Sequence, residues 1–171
     1  SSIVDTLHNL KYPFLSVFHV NIQSLASKFQ QFRDLFDSFS QKNIFPDIFG
    51  ISETWINNFD NFCIPNYRIF SASRSSGRGG GVAIYAHNSL ISSQIDTPIL
   101  FHNNILESVL IKISNKGLKS LCLCVYRPNT HTRLSSTEQL AAFFECFNEI
   151  LNYLDSFNLP VIILGDLNLN L

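Results

Sequence analysis

Apolar and polar positions divide the chain into short strand-like runs and two helical stretches. Leu15 to Ile22 is apolar except at Ser16, His19 and Asn21, and reads as a strand closing at Asn21. The period then changes. Ser27-Lys28-Phe29-Gln30 has capping-box spacing, and Phe29, Phe32, Leu35, Phe36 and Phe39 follow at helical intervals, which predicts an amphipathic helix ending near Ser40. Pro46 opens a buried run, Ile48-Phe49-Gly50-Ile51, that delivers Ser52-Glu53-Thr54-Trp55. Tyr67 to Ala72 alternates and Val82 to Tyr85 is continuously apolar, so both read as strands, with the flexible Gly/Ser loop Ser75 to Gly81 between them. Residues 88–104 read as loops with one weak strand.

Leu106 to Ile113 and Leu118 to Tyr126 flank the polar turn Ser114-Asn115-Lys116-Gly117, a hairpin signal. Ser135-Ser136-Thr137-Glu138 is a second capping box. Behind it Leu140, Phe143, Phe144, Phe147, Ile150, Leu151 and Leu154 keep helical spacing. Pro160 restarts the chain as the strand Val161 to Leu164, which runs into Gly165-Asp166-Leu167-Asn168. Strands with apolar residues on both faces need cover on both sides, so this order predicts a layered α/β or α+β sandwich.

The chain's 171 residues suffice for one domain with a real core. Hydrophobic residues make up 46% and charged residues 15%, but no apolar run approaches the roughly 20 residues needed to span a bilayer. The start has no signal-peptide pattern, so the expectation is an intracellular, soluble protein without a membrane partner. The first residue is Ser1 and methionine is absent, which suggests an excerpt from a longer protein. Residues 1–85 carry seven Lys/Arg against six acids and the remainder five against seven, so neither half is a basic surface for gripping nucleic acid. Cys122 and Cys124 share one face of a strand and, lacking two further ligands at zinc spacing, read as small buried hydrophobes. The glycines at 77–81 lack the Lys-Ser/Thr of a P-loop and read as a turn before a strand.

Lone polar residues fall at the ends of the buried runs: Asn21, Glu53, Tyr126, Asp166 and, two positions on, Asn168. Each has an ordinary structural explanation. Carboxylates after strands form turns or cap helices, Asn21 can cap the helix that follows, and Tyr126 can be a core residue with its hydroxyl at the edge. Their convergence says more, because ligands in open α/β sheets gather beyond the carboxyl ends of strands.

These residues carry a resemblance. Asn21-Ile22-Gln23-Ser24-Leu25, Ser52-Glu53-Thr54-Trp55, Gly79-Gly80-Gly81-Val82-Ala83-Ile84-Tyr85, Val125-Tyr126-Arg127-Pro128 and Gly165-Asp166-Leu167-Asn168 occur in order and at suitable spacing. From about Phe14 onward the chain resembles the endonuclease/exonuclease/phosphatase superfamily, the fold of deoxyribonuclease I. Within it, the chain is most similar to the endonuclease domain of LINE-type non-LTR retrotransposon polyproteins. The resemblance implies a four-layer α/β (α+β) sandwich with two mixed sheets flanked by helices. It also implies a single domain over 1–171, with residues 1–13 as a flanking segment and an incomplete second half.

The resemblance further implies that Glu53 binds Mg²⁺ (Mn²⁺ being the alternative) and that Asn21 supports the metal and phosphate. Asp166 would position or deprotonate the attacking water, and Asn168 would orient Asp166 and the phosphate through its amide. The Tyr126 hydroxyl would contact the phosphate or the departing oxygen. Arg74, Arg78 and Arg127 would face DNA, although arginines in a Ser/Gly loop are more often simply solvated. The family's closing Ser-Asp-His motif has no match here: the histidines are His8, His19, His87, His102 and His131, and none follows Asp166. The expectation is therefore a DNA-nicking domain, weak or inactive as this chain, normally fused to a downstream reverse transcriptase and nuclear when acting on chromosomes. The strand after Pro160 is expected to leave an exposed apolar edge. A phosphatase or sphingomyelinase-like phosphodiesterase of the same fold, and a decayed remnant or non-catalytic binding module, remain alternatives.

Overall fold

The computed structural model describes residues 15–74, 79–129 and 135–169. The expected flanking segment 1–13, Arg78 and His131 lie outside the described residues. Two mixed sheets pack face to face. The first has the order β1-β2-β4-β3, from β1 (Val17–Asn21), β2 (Ile48–Ser52), β3 (Tyr67–Ala72) and β4 (Val82–His87), with β1 parallel to β2. The second has the order β5-β7-β8-β9, from β5 (Ile91–Ile95), β7 (Leu106–Asn115), β8 (Leu118–Tyr126) and β9 (Val161–Asp166). Here β8 and β9 run parallel, and β6 (Phe101–His102) pairs with β7. Helix α1 (Leu25–Gln41) covers the first sheet and α2 (Ser136–Asp155) the second. The architecture is the four-layer α/β sandwich.

Side-chain alternation sorts the residues into three cores. Ile48, Val82, Ile84 and Ala86 of the first sheet meet Val109, Ile111, Ile113, Cys122 and Cys124 of the second. On the opposite faces Phe49, Ile51, Ala83 and Tyr85 pack under α1, and Leu110, Leu121, Leu123 and Val125 under α2. Cys122 and Cys124 are buried apolar members of the middle layer, as their spacing predicts. Gly50 lies where a β-carbon would strike Leu164 and Cys124, so its missing side chain lets the sheets approach.

Several elements differ from expectation for identifiable reasons. The second capping box forms as predicted, with Ser135 as N-cap and Glu138 returning to it. The first does not: α1 starts at Leu25, and Ser27 Oγ donates to the Ser24 carbonyl. Two N–H groups at the helix start are satisfied by the segment that follows β2, Ser24 N–H by the Glu53 carbonyl and Leu25 N–H by that of Thr54. The hairpin turn shortens to Lys116-Gly117, both at positive φ, as a twist-matched two-residue turn requires. Residues 88–104 contain two short strands and a 3-10 turn (Pro98–Leu100) rather than one weak strand. Strand β9 continues to Asp166 because Asp166 pairs in register with Tyr126. It ends the second sheet, and Val161 and Ile163 on its helix side are 38% and 42% exposed. Among the described residues no helix is long and apolar enough to cross a membrane.

Candidate active site

The same alternation that builds the middle core carries polar residues to its rim. Along β1 the inward residues are Val17, His19 and Asn21; along β8 they are Cys122, Cys124 and Tyr126; along β9 they are Ile162, Leu164 and Asp166. Where the two sheets end together, Asn21 stands between two carboxylates. Its Nδ2 donates to Glu53 Oε1 at 2.7 Å and to Asp166 Oδ2 at 2.8 Å. Its Oδ1 accepts from Gln23 N–H at 3.2 Å, so Asn21 also forms the turn into α1. The Tyr126 phenol lies within the electrostatic reach of Glu53. Burial and the neighbouring Glu53 carboxylate push the phenol well above its ordinary range, so it stays a protonated donor.

Glu53 is fixed by main chain on both sides. The carbonyls of Ser52, Glu53 and Thr54 accept from the N–H groups of Ile22, Ser24 and Leu25, while Thr54 and Trp55 N–H donate to the Gly81 and Gly80 carbonyls. These bonds hold left-handed backbone at Gln23 (φ 46°), Ser24 (85°), Glu53 (56°) and Trp55 (57°), and Asn168 adopts it too (47°). Such conformations cost about 1–3 kcal/mol each in non-glycine residues and persist where the surroundings over-determine them.

Asn168 is brought to the site, but not by the expected route. Its main-chain N–H, not its amide, holds Asp166 Oδ1 at 3.1 Å in an Asx-turn, while Nδ2 donates to the Arg127 carbonyl at 2.7 Å. Arg127 is likewise engaged internally. Its N–H donates to the Asp166 carbonyl, its Nη1 to the Asn168 carbonyl at 2.7 Å, and its guanidinium lies over Phe143. It braces the β9 exit rather than reaching outward.

Arg74 corrects the sequence expectation most clearly. It is not simply solvated: it is 7% exposed and its Nε pairs with Glu107 at 2.5 Å. A guanidinium buried this deeply needs such a partner. Glu107, fully buried, also accepts from Gly81 N–H at 2.5 Å. A β-carbon at Gly80, which has φ +70°, would collide with both partners, so only glycine fits. Glu107 escaped the sequence reading although a signal existed. It shares the inward parity of Val109, Ile111 and Ile113 and is the register partner of Tyr126.

His19 is a further polar group near the rim that its place in the strand does not by itself single out. It lies two residues before Asn21 on the same face, its Nε2 is buried with no hydrogen-bond partner, and burial lowers its pKa against an upward pull from Asp166. It is therefore neutral near pH 7.

Two carboxylates, an amide and a phenol now share one rim. Among the described residues no group of three or more His, Cys, Asp or Glu could hold a metal ion unaided. That donor set suits Mg²⁺, which takes one or two carboxylates and completes its shell with waters and substrate phosphates.

The profile of the Endonuclease/Exonuclease/phosphatase family matches residues 19–171. No curated protein matches the chain by sequence. Similar solved structures include truncated Caenorhabditis elegans TDP2, with TM-score 0.63, 17% identity, and coverage of 91% of this chain and 63% of that one. The human Nocturnin catalytic domain with bound sulfate has TM-score 0.57 and 15% identity, covering 88% and 62%. The Neisseria 3′ phosphatase NExo, bound to a product DNA hairpin, has TM-score 0.54 and 16% identity, covering 89% and 57%. The chain thus spans less than two thirds of each of these proteins. The likeness extends to the fold of two packed sheets.

Proposed function

Because the chain belongs to the endonuclease/exonuclease/phosphatase family, we propose that its rim of polar residues hydrolyses a phosphodiester bond in DNA with a divalent cation, Mg²⁺ by preference and Mn²⁺ as substitute. The observation that carries this reading is the double hydrogen bond from Asn21 to Glu53 and Asp166, which gathers two carboxylates from different sheets. Glu53 is the residue to hold the cation, with Asn21 beside it. When bound, the ion neutralises charge building on the phosphate oxygens. Asp166, held by Asn21 and by the Asn168 N–H, accepts the proton of the attacking water. Tyr126, kept protonated, donates to the phosphate or the departing oxygen.

DNA as substrate is supported by the NExo complex with a product DNA hairpin. The finer assignment, a target-nicking domain of a non-LTR retroelement polyprotein working in the nucleus ahead of a reverse transcriptase, rests on the Ser52-Glu53-Thr54-Trp55 and Gly79-to-Tyr85 segments. The expected rate is low. His19 is the histidine that the described residues bring beside Asp166, and it is neutral and unpartnered, so it adds no positive donor for the phosphate.

The test is nicking of supercoiled plasmid with protein in excess. Slow, Mg²⁺-dependent relaxation should fall by about 10²–10³ in Glu53→Gln and Asp166→Asn. Nicking that survives either substitution or ignores chelation overturns the reading. Mg²⁺ binding with no turnover assigns a non-catalytic module instead.

A further inference from the structure

Trp55 is the chain's single tryptophan. It is 41% exposed and belongs to none of the three cores, although its neighbour Ile56 packs on the core under α1. Its backbone is held in the left-handed region at φ 57° by the bond from its N–H to the Gly80 carbonyl, at 2.9 Å. A bulky aromatic residue rarely occupies that region, so the surroundings fix where this indole stands. It borders a cavity of about 250 Å³ lined also by Ile56, Ser73, Arg74, Gly79 and Gly80. That is slightly below the usual range of ligand pockets, about 300–1,000 Å³, and suits one flat group rather than a duplex. The glycines contribute backbone and no side chains to this wall. The charge of Arg74 is already matched by Glu107, so the cavity is not an isolated cationic site for a free phosphate. Its most distinctive surface is the indole, and the wall behind it is polar.

Trp55 also lies two residues beyond Glu53, and the glycine strip that holds it is tied through Glu107 to the strand position opposite Tyr126. We propose that Trp55 and the Gly79–Gly81 strip form a stacking subsite for an unpaired base of the nucleotide beside the phosphate at Glu53, which makes Trp55 a specificity-determining residue. The inference rests on the nuclease reading for its ligand class, single-stranded or frayed DNA. Stacking on an aromatic side chain tolerates any base, because every base has a π-face. The subsite therefore selects for an unstacked nucleotide rather than for sequence.

As the sole tryptophan, Trp55 reports directly. In chelator, which prevents cleavage, titration of the full chain with oligothymidylate should quench its emission saturably. A strand with abasic positions throughout should bind without quenching. Binding followed by anisotropy of a labelled strand should weaken about 5- to 150-fold in Trp55→Ala and less in Trp55→Phe, which keeps a ring. Circular dichroism matching the wild type establishes that both variants are folded. Equal quenching by the abasic strand, binding without quenching, or unchanged affinity in folded Trp55→Ala would each overturn the proposal. Failure of the nuclease reading is separable: plasmid that stays intact with Mg²⁺ removes hydrolysis, while base-dependent quenching would still stand.

Discussion

Replacing Glu107 with alanine takes a carboxylate from the most deeply buried polar contact of the site. Glu107 is fully buried and Arg74 is 7% exposed, so solvent cannot take over the lost interactions without local opening. The substitution strips Arg74 of its carboxylate and leaves Gly81 N–H without its acceptor. Breaking a buried pair from one side costs about 3–5 kcal/mol. An unmatched buried N–H alone accounts for about 1–3 kcal/mol. Water entering the vacated space can take the Gly81 N–H and offset the second term, so the expected loss stays at about 3–5 kcal/mol. That is a large share of the about 5–15 kcal/mol available to a domain. Glu107→Gln keeps an acceptor for Gly81 but not the charge, and should cost less, about 2–3 kcal/mol. The assay is urea unfolding followed by Trp55 emission and by circular dichroism, with Arg74→Ala and the double variant completing a cycle. A coupling of about 2 kcal/mol or more is expected between the two residues. A loss below about 1 kcal/mol in Glu107→Ala, or near-additive effects in the double variant, would show that the Arg74–Glu107 pair does not hold this region together.

Four further outcomes are expected. Gly165→Ala would set a β-carbon onto the Val125 carbonyl of β8, main chain that cannot yield without breaking the β8–β9 pairing, so urea midpoints should show a loss of about 2 kcal/mol or more. A disulfide reagent should modify exposed Cys63 at once but reach Cys122 and Cys124 only on unfolding; burial pushes the Cys122 thiol up to about 12 and Cys124 higher still, and rapid modification of all four thiols would contradict this. His19 has a lowered folded pKa, so the unfolded chain takes up its proton first; stability should fall as pH drops below about 6.5 until the folded value is reached, and His19→Leu should flatten that limb in chelator-treated melts. Ile163→Lys on the exposed edge strand should reduce self-association in light scattering while leaving the melting temperature nearly unchanged.

The order of strands and helices was legible because apolar periodicity directly reports which faces are covered. Asn21, Glu53, Tyr126 and Asp166 were legible as polar ends of buried runs, and the structure brings them to one rim. What the sequence hid were contacts between distant segments. The start of α1 is anchored by carbonyls 29 positions away, which take the Ser24 and Leu25 N–H groups. Arg74 sits in a loop whose composition reads as solvated, yet its partner Glu107 lies 33 residues on. Asn168 holds Asp166 through an N–H that every non-proline residue has, which no residue-type argument singles out. Local pattern reports faces and turns. The pairing of particular polar groups across sheets follows from register, which here had to be seen.

The rim gathered by Asn21 is proposed to form a cation site centred on Glu53. Mn²⁺ binding followed by electron paramagnetic resonance tests this most directly, comparing the wild-type chain with Glu53→Gln at equal circular dichroism. One bound Mn²⁺, displaced by Mg²⁺, is expected in the wild type and should be lost or weakened at least about tenfold in the variant. Mn²⁺ binding equal in both proteins, or none in the wild type, would exclude a cation site at Glu53.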